Sequence, residues 1–253
     1  MLESLKGKVV LVTGSARRVG RGIALGFARE GANLVIHHSS SDEEAEQTAA
    51  DARALGVDAL IVKGDHAHYS SIARNFEQTM AHYGRINVLV NSASIFKQTD
   101  LLDIPPDEWN AVMDINLRAP FWCTQHAGRI MREAGIAGSI INIADTSGLR
   151  PWAARPHHSI SKAGLIMLTE VTAAALAPHQ IRANCLVLGP VLPTTGQSET
   201  SWRKTEARLP LKRSGDPDDA ARAAVFLATN DYITGAVLRV DGGEWLTDAS
   251  ESS

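Results

Sequence analysis

The sequence predicts an α/β fold: one Rossmann-type, doubly wound parallel sheet of about seven strands flanked by helices, in a single domain over 1–253. Three observations predict it. Short apolar, β-branched runs alternate with longer helical patterns, the signature of βαβ units. Several of those runs are apolar throughout, as expected of strands covered by helices on both faces. A glycine-rich turn joins the first strand to the first helix.

The strands are expected, in order, at Val9–Thr13, Leu34–His37, Ala59–Val62, Val88–Val90, Ser139–Ile143 and Ala183–Leu188, with a shorter one at Val237–Val240. The helices are expected at Gly20–Glu30, Ser41–Leu55, Ser70–Tyr83, Pro106–Arg132, Ser159–Ala177 and Pro217–Ala228. Ser41 precedes Asp42, Glu43 and Glu44, acids that suit the positive end of a helix. Asp216 followed by Pro217 reads as an N-cap and first-turn pair. The segment 190–210, rich in Pro, Thr, Ser and Gly and weakly periodic, is expected to be a long loop, either a substrate lid or a passive excursion.

The composition excludes several classes. Hydrophobic residues make up 44% of the 253, enough for a large core, and the net charge of −3 gives no pull toward nucleic acid or acidic membranes. Cys123 and Cys185 stand far apart in no metal-type spacing, which fits a reducing compartment. Met1–Lys8 lacks the apolar core of a signal peptide, and no run approaches the roughly eighteen consecutive apolar residues of a membrane span. A cytoplasmic protein with a small-molecule substrate, no bound metal, no nucleic acid and no membrane is the expectation.

The first strand runs into Thr13-Gly14-Ser15-Ala16-Arg17-Arg18-Val19-Gly20. A glycine turn in this place lets backbone N–H groups approach a pyrophosphate at the start of a helix. The second strand ends at His37-His38-Ser39-Ser40-Ser41, without the acidic residue that would hold the ribose 2′-hydroxyl of NAD. Serine hydroxyls, with Arg17 or Arg18 nearby, would instead receive a 2′-phosphate, so NADPH is the expected cofactor. Ser41 would equally serve as a helix cap, and Asp65 after the third strand either bonds the adenine or caps a loop.

These residues resemble the short-chain dehydrogenase/reductase family over nearly the whole chain. The turn from Thr13 to Gly20 looks like the TGxxxRxG form of its pteridine reductase branch, with Arg18 where most relatives carry glycine. Asn91-Ser92-Ala93-Ser94 resembles the segment after the fourth strand, Asn116 the helix asparagine of the family tetrad, and Lys162 the active-site lysine. Gly189-Pro190 resembles the turn after the sixth strand in reversed order, and Tyr232-Ile233-Thr234-Gly235 with Val240-Asp241-Gly242-Gly243 the C-terminal signature. The resemblance implies cofactor contacts from Gly14 to Gly20, at Asn91, Ala93, Lys162, Gly189 and Pro190, and a homotetramer joined through the long helices.

Two positions depart from the family. Asp145 stands where most members carry serine, as it does in the pteridine reductase branch. His158 stands four residues before Lys162, where the family motif YxxxK has its tyrosine, and the thirteen-residue interval from Asp145 is kept. None of Tyr69, Tyr83 or Tyr232 is placed to substitute. Histidine delivers protons with an ordinary pKa of about 6.5, nearer neutrality than a phenol at about 10. Lys162 would disfavour the imidazolium and Asp145 would favour it.

The residues therefore point to an NADPH-dependent reductase that delivers hydride to a C=N bond of a pterin or cyclic imine. Asp145 and His158 would be the acid pair, with Asn116 and Lys162 beside them. The resemblance to the pteridine reductase branch implies that Phe96 stacks the substrate ring and that Arg18 reaches substrate and phosphate. Trp152 and Trp202 are further candidates for the pocket. A carbonyl reductase or alcohol dehydrogenase on the same scaffold is the alternative. In a protein that binds cofactor with little turnover, His158 would be a degenerate position.

Overall fold

The computed structural model describes residues 4–194 and 196–247. Seven parallel strands form one sheet in the order β3-β2-β1-β4-β5-β6-β7. They are β1 (Val9–Val12), β2 (Asn33–His38), β3 (Ala59–Lys63), β4 (Val88–Asn91), β5 (Ser139–Asp145), β6 (Arg182–Leu188) and β7 (Val237–Val240). The helices are α1 (Arg18–Arg29), α2 (Asp42–Ala54), α3 (Tyr69–Tyr83), α4 (Pro106–Met113), α5 (Ala119–Glu133), α6 (Pro156–Leu176), α7 (Glu199–Arg208) and α8 (Pro217–Thr229).

The side-chain period of two in β1 divides the core. Val10 and Val12 face Ile23 and Phe27 of α1, Ala45 and Ala49 of α2, and Ala220 and Ala224 of α8. Val9 and Leu11 face Ile72 and Phe76 of α3 and Ala127 and Met131 of α5. Small residues let α1 lie close to its neighbour: a Cβ on Gly26 would stand 2.6 Å from Ala221 Cβ. The strand order reverses between β1 and β4, which opens a crevice beyond their carboxyl ends, the usual ligand position in such sheets.

Three local expectations are revised. The single helix expected over Pro106–Arg132 is two helices joined by a π-helical turn, Asp114–Arg118. The segment read as loop between 190 and 210 contains α7, capped by Ser198, whose hydroxyl accepts the Ser201 N–H. Ser41 occupies the N-cap of α2 but its side chain makes no cap hydrogen bond; the acids of the first turn complement the helix end instead. Asp216 and Asp219 form the full reciprocal capping box of α8. By length and composition alone, the segment Pro156–His179 would cross a membrane; here Leu165 and Ile166 of α6 pack against Ala144 of β5 and Cys185 and Val187 of β6.

Candidate active site

The crevice is built first from backbone. Gly14 adopts φ +65°, and a Cβ there would lie 2.8 Å from Ala93 Cα, so the turn after β1 rests directly on the segment after β4. Thr13 Oγ1 locks the two together by accepting the Ser92 and Ala93 N–H groups at 2.9 and 3.0 Å. A Cβ on Gly20 would meet Gly14 O at 2.2 Å. Arg17, at the N-cap of α1, makes no side-chain cap bond, so the first amides of that helix keep their donors for a ligand. Arg18 holds φ +56°, a left-handed conformation uncommon outside glycine, asparagine and aspartate. That explains why the resemblance offers glycine at this place.

The adenosine side of the crevice is formed by the ends of β2 and β3. His38 is buried and its Nδ1 has no hydrogen-bond partner among the described residues. Ser39 and Ser40 are exposed beside it. Asp65 accepts the Ala67 N–H at 2.9 Å, the loop-cap role that was one of its two readings. Asn91 donates to Asn142 Oδ1 at 2.8 Å, while its own Oδ1 is buried without a partner among the described residues. At the far end, Gly189 is required by close approach, since a Cβ there would lie 2.7 Å from Asp241 Cα. Pro190 presents its carbonyl to the Gly215 N–H at 2.9 Å.

Asn116, Asp145, His158 and Lys162, widely spaced in sequence, converge. The π-helical turn carries Asn116 inward, where Oδ1 accepts the Ile95 N–H at 2.9 Å and Nδ2 donates to Ile95 O at 3.0 Å. Those two backbone partners fix which way the amide points. Nδ2 therefore faces Ser161 Oγ at 3.2 Å and His158 Nδ1 at 3.4 Å. His158 Nε2 donates to Asp145 Oδ2 at 2.7 Å. Asp145 Oδ1 accepts from the Ser147 N–H at 3.0 Å and also from the Ser147 hydroxyl.

Burial pushes the Asp145 carboxyl upward, but the His158 hydrogen bond, the Lys162 charge and Ser147 outweigh it, and the group is held below the usual carboxylate range. Lys162 is fully buried and donates to Ile143 O at 2.9 Å; burial lowers its ammonium, opposed by Asp145. The Asp145 side chain is 24% exposed and that of His158 only 2%, so the carboxylate is the member of the pair that reaches the crevice.

The outer wall is aromatic. Phe96 stands edge-on to the His158 ring at 4.7 Å between centroids, and Trp152 lies parallel to that ring at 6.2 Å. Arg155 covers one face of Phe96, its guanidinium carbon 3.8 Å from the ring centroid, and donates to Gln98 at 2.8 Å. Arg18 donates to Pro193 O at 2.8 Å and so ties the first turn to the 190–210 segment. Trp202 lies on α7 of that segment.

Sequence reasoning passed over several groups here. His37 accepts the Gly14 N–H. Glu244, raised by burial, accepts from Thr146 Oγ1 at 3.0 Å, and Arg150 donates to the carbonyls of Trp245 and Thr247, so the C-terminal segment braces the loop after Asp145. The repeated histidines at 37 and 38 were the one available signal; the brace had none.

A glycine turn at the switch point, with titratable side chains gathered beyond β4 and β5, defines an oxidoreductase of the dinucleotide-binding class. Residues 14–244 match the family described as enoyl-(acyl carrier protein) reductase, and the chain belongs to the short-chain dehydrogenase/reductase family. It is 35% identical over 251 residues to an L-rhamnose 1-dehydrogenase (NAD(P)(+)) of Sphingomonas sp., covering 97% of this chain and 99% of the relative. It is 32% identical over 245 residues to a 3-oxoacyl-[acyl-carrier-protein] reductase of Synechocystis sp., covering 96% and 98%. Among solved structures it is similar to a blue fluorescent protein from a metagenomic library in complex with NADPH (TM-score 0.87, 33% identity, 95% and 99% of the chains). It is also similar to acetoin dehydrogenase from Salmonella typhimurium (TM-score 0.89, 28% identity, 96% and 98%). These relatives establish the family; the names they carry are not those of the pteridine reductase branch that Asp145 and Phe96 brought to mind.

Proposed function

We propose that this chain is an NAD(P)-dependent dehydrogenase acting on a carbon–oxygen centre of a small polar molecule, with the Asp145–His158 pair handling the proton. One observation carries the reading. The Asp145 carboxyl, held below its usual range and partly open to the crevice, lies 2.7 Å from the buried His158 Nε2. That is the base form of the pair, ready to accept a proton from a substrate hydroxyl. The names of the relatives, dehydrogenases and an oxo-reductase, support the same bond type.

The nicotinamide, when bound, takes up or supplies the hydride. Asp145, the exposed member, accepts the hydrogen bond of the substrate hydroxyl, and the Asp145–His158 pair together takes up its proton. Lys162 stabilises the carboxylate from its buried side and, as the family resemblance implies, reaches the ribose. The crevice fits such a group: the amides at the start of α1 are uncapped, and His38 Nδ1 at the end of β2 and Asn91 Oδ1 at the end of β4 are buried without partners among the described residues. NADPH is preferred over NADH because β2 ends in serines with no carboxylate of its own and the first turn carries Arg17 and Arg18. Gly189 and Pro190 close the nicotinamide end.

A second reading, reduction of a C=N bond in a pterin or cyclic imine, is favoured by the aromatic side chains of Phe96 and Trp152 gathered around His158. In that reading Arg18 and Phe96 contact the substrate. The two separate in one experiment. The purified protein is incubated with NADP+ and a panel of aldoses and secondary alcohols, and with NADPH and dihydrobiopterin or a simple cyclic imine. Turnover confined to the alcohols supports the proposal. Turnover confined to the C=N substrates replaces it, and tight cofactor binding with neither leaves a binding protein.

The assembly is proposed to be a homotetramer in the cytoplasm. Ile160, Met167 and Val171 leave an exposed apolar stripe on α6, and Phe121 does the same on α5.

A further inference from the structure

We propose that His37 is a positioning residue for dinucleotide binding: its neutral imidazole ties the Gly14 amide of the first turn to the Gly64 carbonyl beyond β3. In this way it sets the shape of the turn on which the pyrophosphate rests. The inference depends on the cofactor reading above and adds to it a residue outside the glycine motif.

The geometry leaves the ring a single protonation state. His37 is buried at the end of β2. Gly14 N–H can only donate, and it lies 3.1 Å from Nδ1. Gly64 C=O can only accept, and it lies 2.9 Å from Nε2. Nδ1 is therefore the lone-pair nitrogen and Nε2 carries the proton. An imidazolium would set an N–H against the Gly14 N–H. The groups facing the ring are His66, stacked on it at 3.6 Å between centroids, His38 on the same strand, and Asp65. Asn75 on α3 fixes His66 in turn, at 3.1 Å. The main chain repeats the tie: Ser15 N–H donates to His37 O at 3.0 Å and Gly64 N–H to His38 O at 3.0 Å.

Gly14 is only partly exposed, and His37 Nδ1 is the acceptor its N–H reaches. Its left-handed turn already presses on Ala93, with 2.8 Å from a would-be Cβ to Ala93 Cα, so it has little room to rotate toward another partner. Removing the acceptor leaves a part-buried N–H unpaired, and the cheapest relief is a shift of the turn itself. The amides of Arg18 to Gly20, which follow at the start of α1, would move with it. A side chain on β2 thereby governs a phosphate site formed by backbone atoms.

Two conservative replacements separate this role from a merely structural one. The carboxamide oxygen of His37→Asn stands about where Nδ1 stands and keeps an acceptor for Gly14. The longer His37→Gln places its amide at Nε2, keeping a donor for Gly64 and abandoning Gly14. NADPH affinity, read from nicotinamide fluorescence, should fall roughly tenfold or more in His37→Gln and stay within about threefold in His37→Asn. In the proposed reaction His37→Gln should show a raised KM for cofactor with kcat retained at saturation, and His37→Asn should keep both near the wild-type values. Equal losses in both variants, an unimpaired or unfolded His37→Gln, or a fall in kcat at unchanged KM would overturn the clamp. Wild-type protein that binds neither NADPH nor NADH would overturn the cofactor reading itself and the clamp with it.

Discussion

Asp145 Oδ2 lies 2.7 Å from His158 Nε2, and the histidine side is buried while the carboxylate is partly open to the crevice. The shorter imidazole sits where the family motif has a longer phenol. In the proposed function the reach toward substrate passes to the neighbouring carboxylate.

That relationship gives the first prediction. His158→Ala and Asp145→Asn should each lower the rate with a responsive alcohol by roughly a hundredfold or more, leaving NADPH affinity nearly unchanged. The two should be far from additive, because they remove one hydrogen-bonded unit. Steady-state kinetics of both single variants and the double variant check this; independent effects would show that the residues do not act as a pair.

Stability should depend on pH through the buried histidines. Burial lowers His37 to about 4 against the backbone bond from Gly64, and lowers His66 to about 2, the ordinary value being 6.5. The unfolded chain takes up these protons below about 6.5 while the folded chain still refuses them. Their contribution to stability is therefore complete above that value and is lost progressively as the pH falls toward 4. Urea unfolding at a series of pH values should show this slope, and His66→Leu should flatten it.

Arg18 is held at φ +56° and its guanidinium reaches Pro193 O. Arg18→Gly should relieve the left-handed backbone and stabilise the fold by about 1 kcal/mol, part of the gain being offset by the freer unfolded chain. The same change should weaken NADPH more than NADH, since a cation near the 2′-phosphate is lost. Thermal unfolding and paired cofactor titrations test both halves; a drop in melting temperature would mean that the tie to the 190–210 segment outweighs the strain.

The α6 stripe makes an assembly prediction. Met167→Glu or Val171→Glu would place a charge in a proposed contact between copies and should shift the protein toward smaller species in light scattering after size exclusion. An unchanged mass would remove α6 from the interface.

The sequence by itself determined the alternation of strands and helices, the depth of the sheet in the core, the glycine turn and the identity of the four side chains that converge. Periodicity and turn chemistry are local, and Asn116, Asp145, His158 and Lys162 were legible through the resemblance to the family's motifs. The tertiary structure decided what those residues are to one another. The sequence held the opposing pulls of Lys162 and Asp145 on His158 but not the orientation of Asn116, which the Ile95 backbone sets at 2.9 and 3.0 Å from another part of the chain. Likewise β2 showed two histidines, yet only the pairing of β1 with β2 and β2 with β3 brings His37 between Gly14 and Gly64. Hydrogen-bond direction and burial arise between segments far apart in sequence, so they enter only when the sheet has assembled.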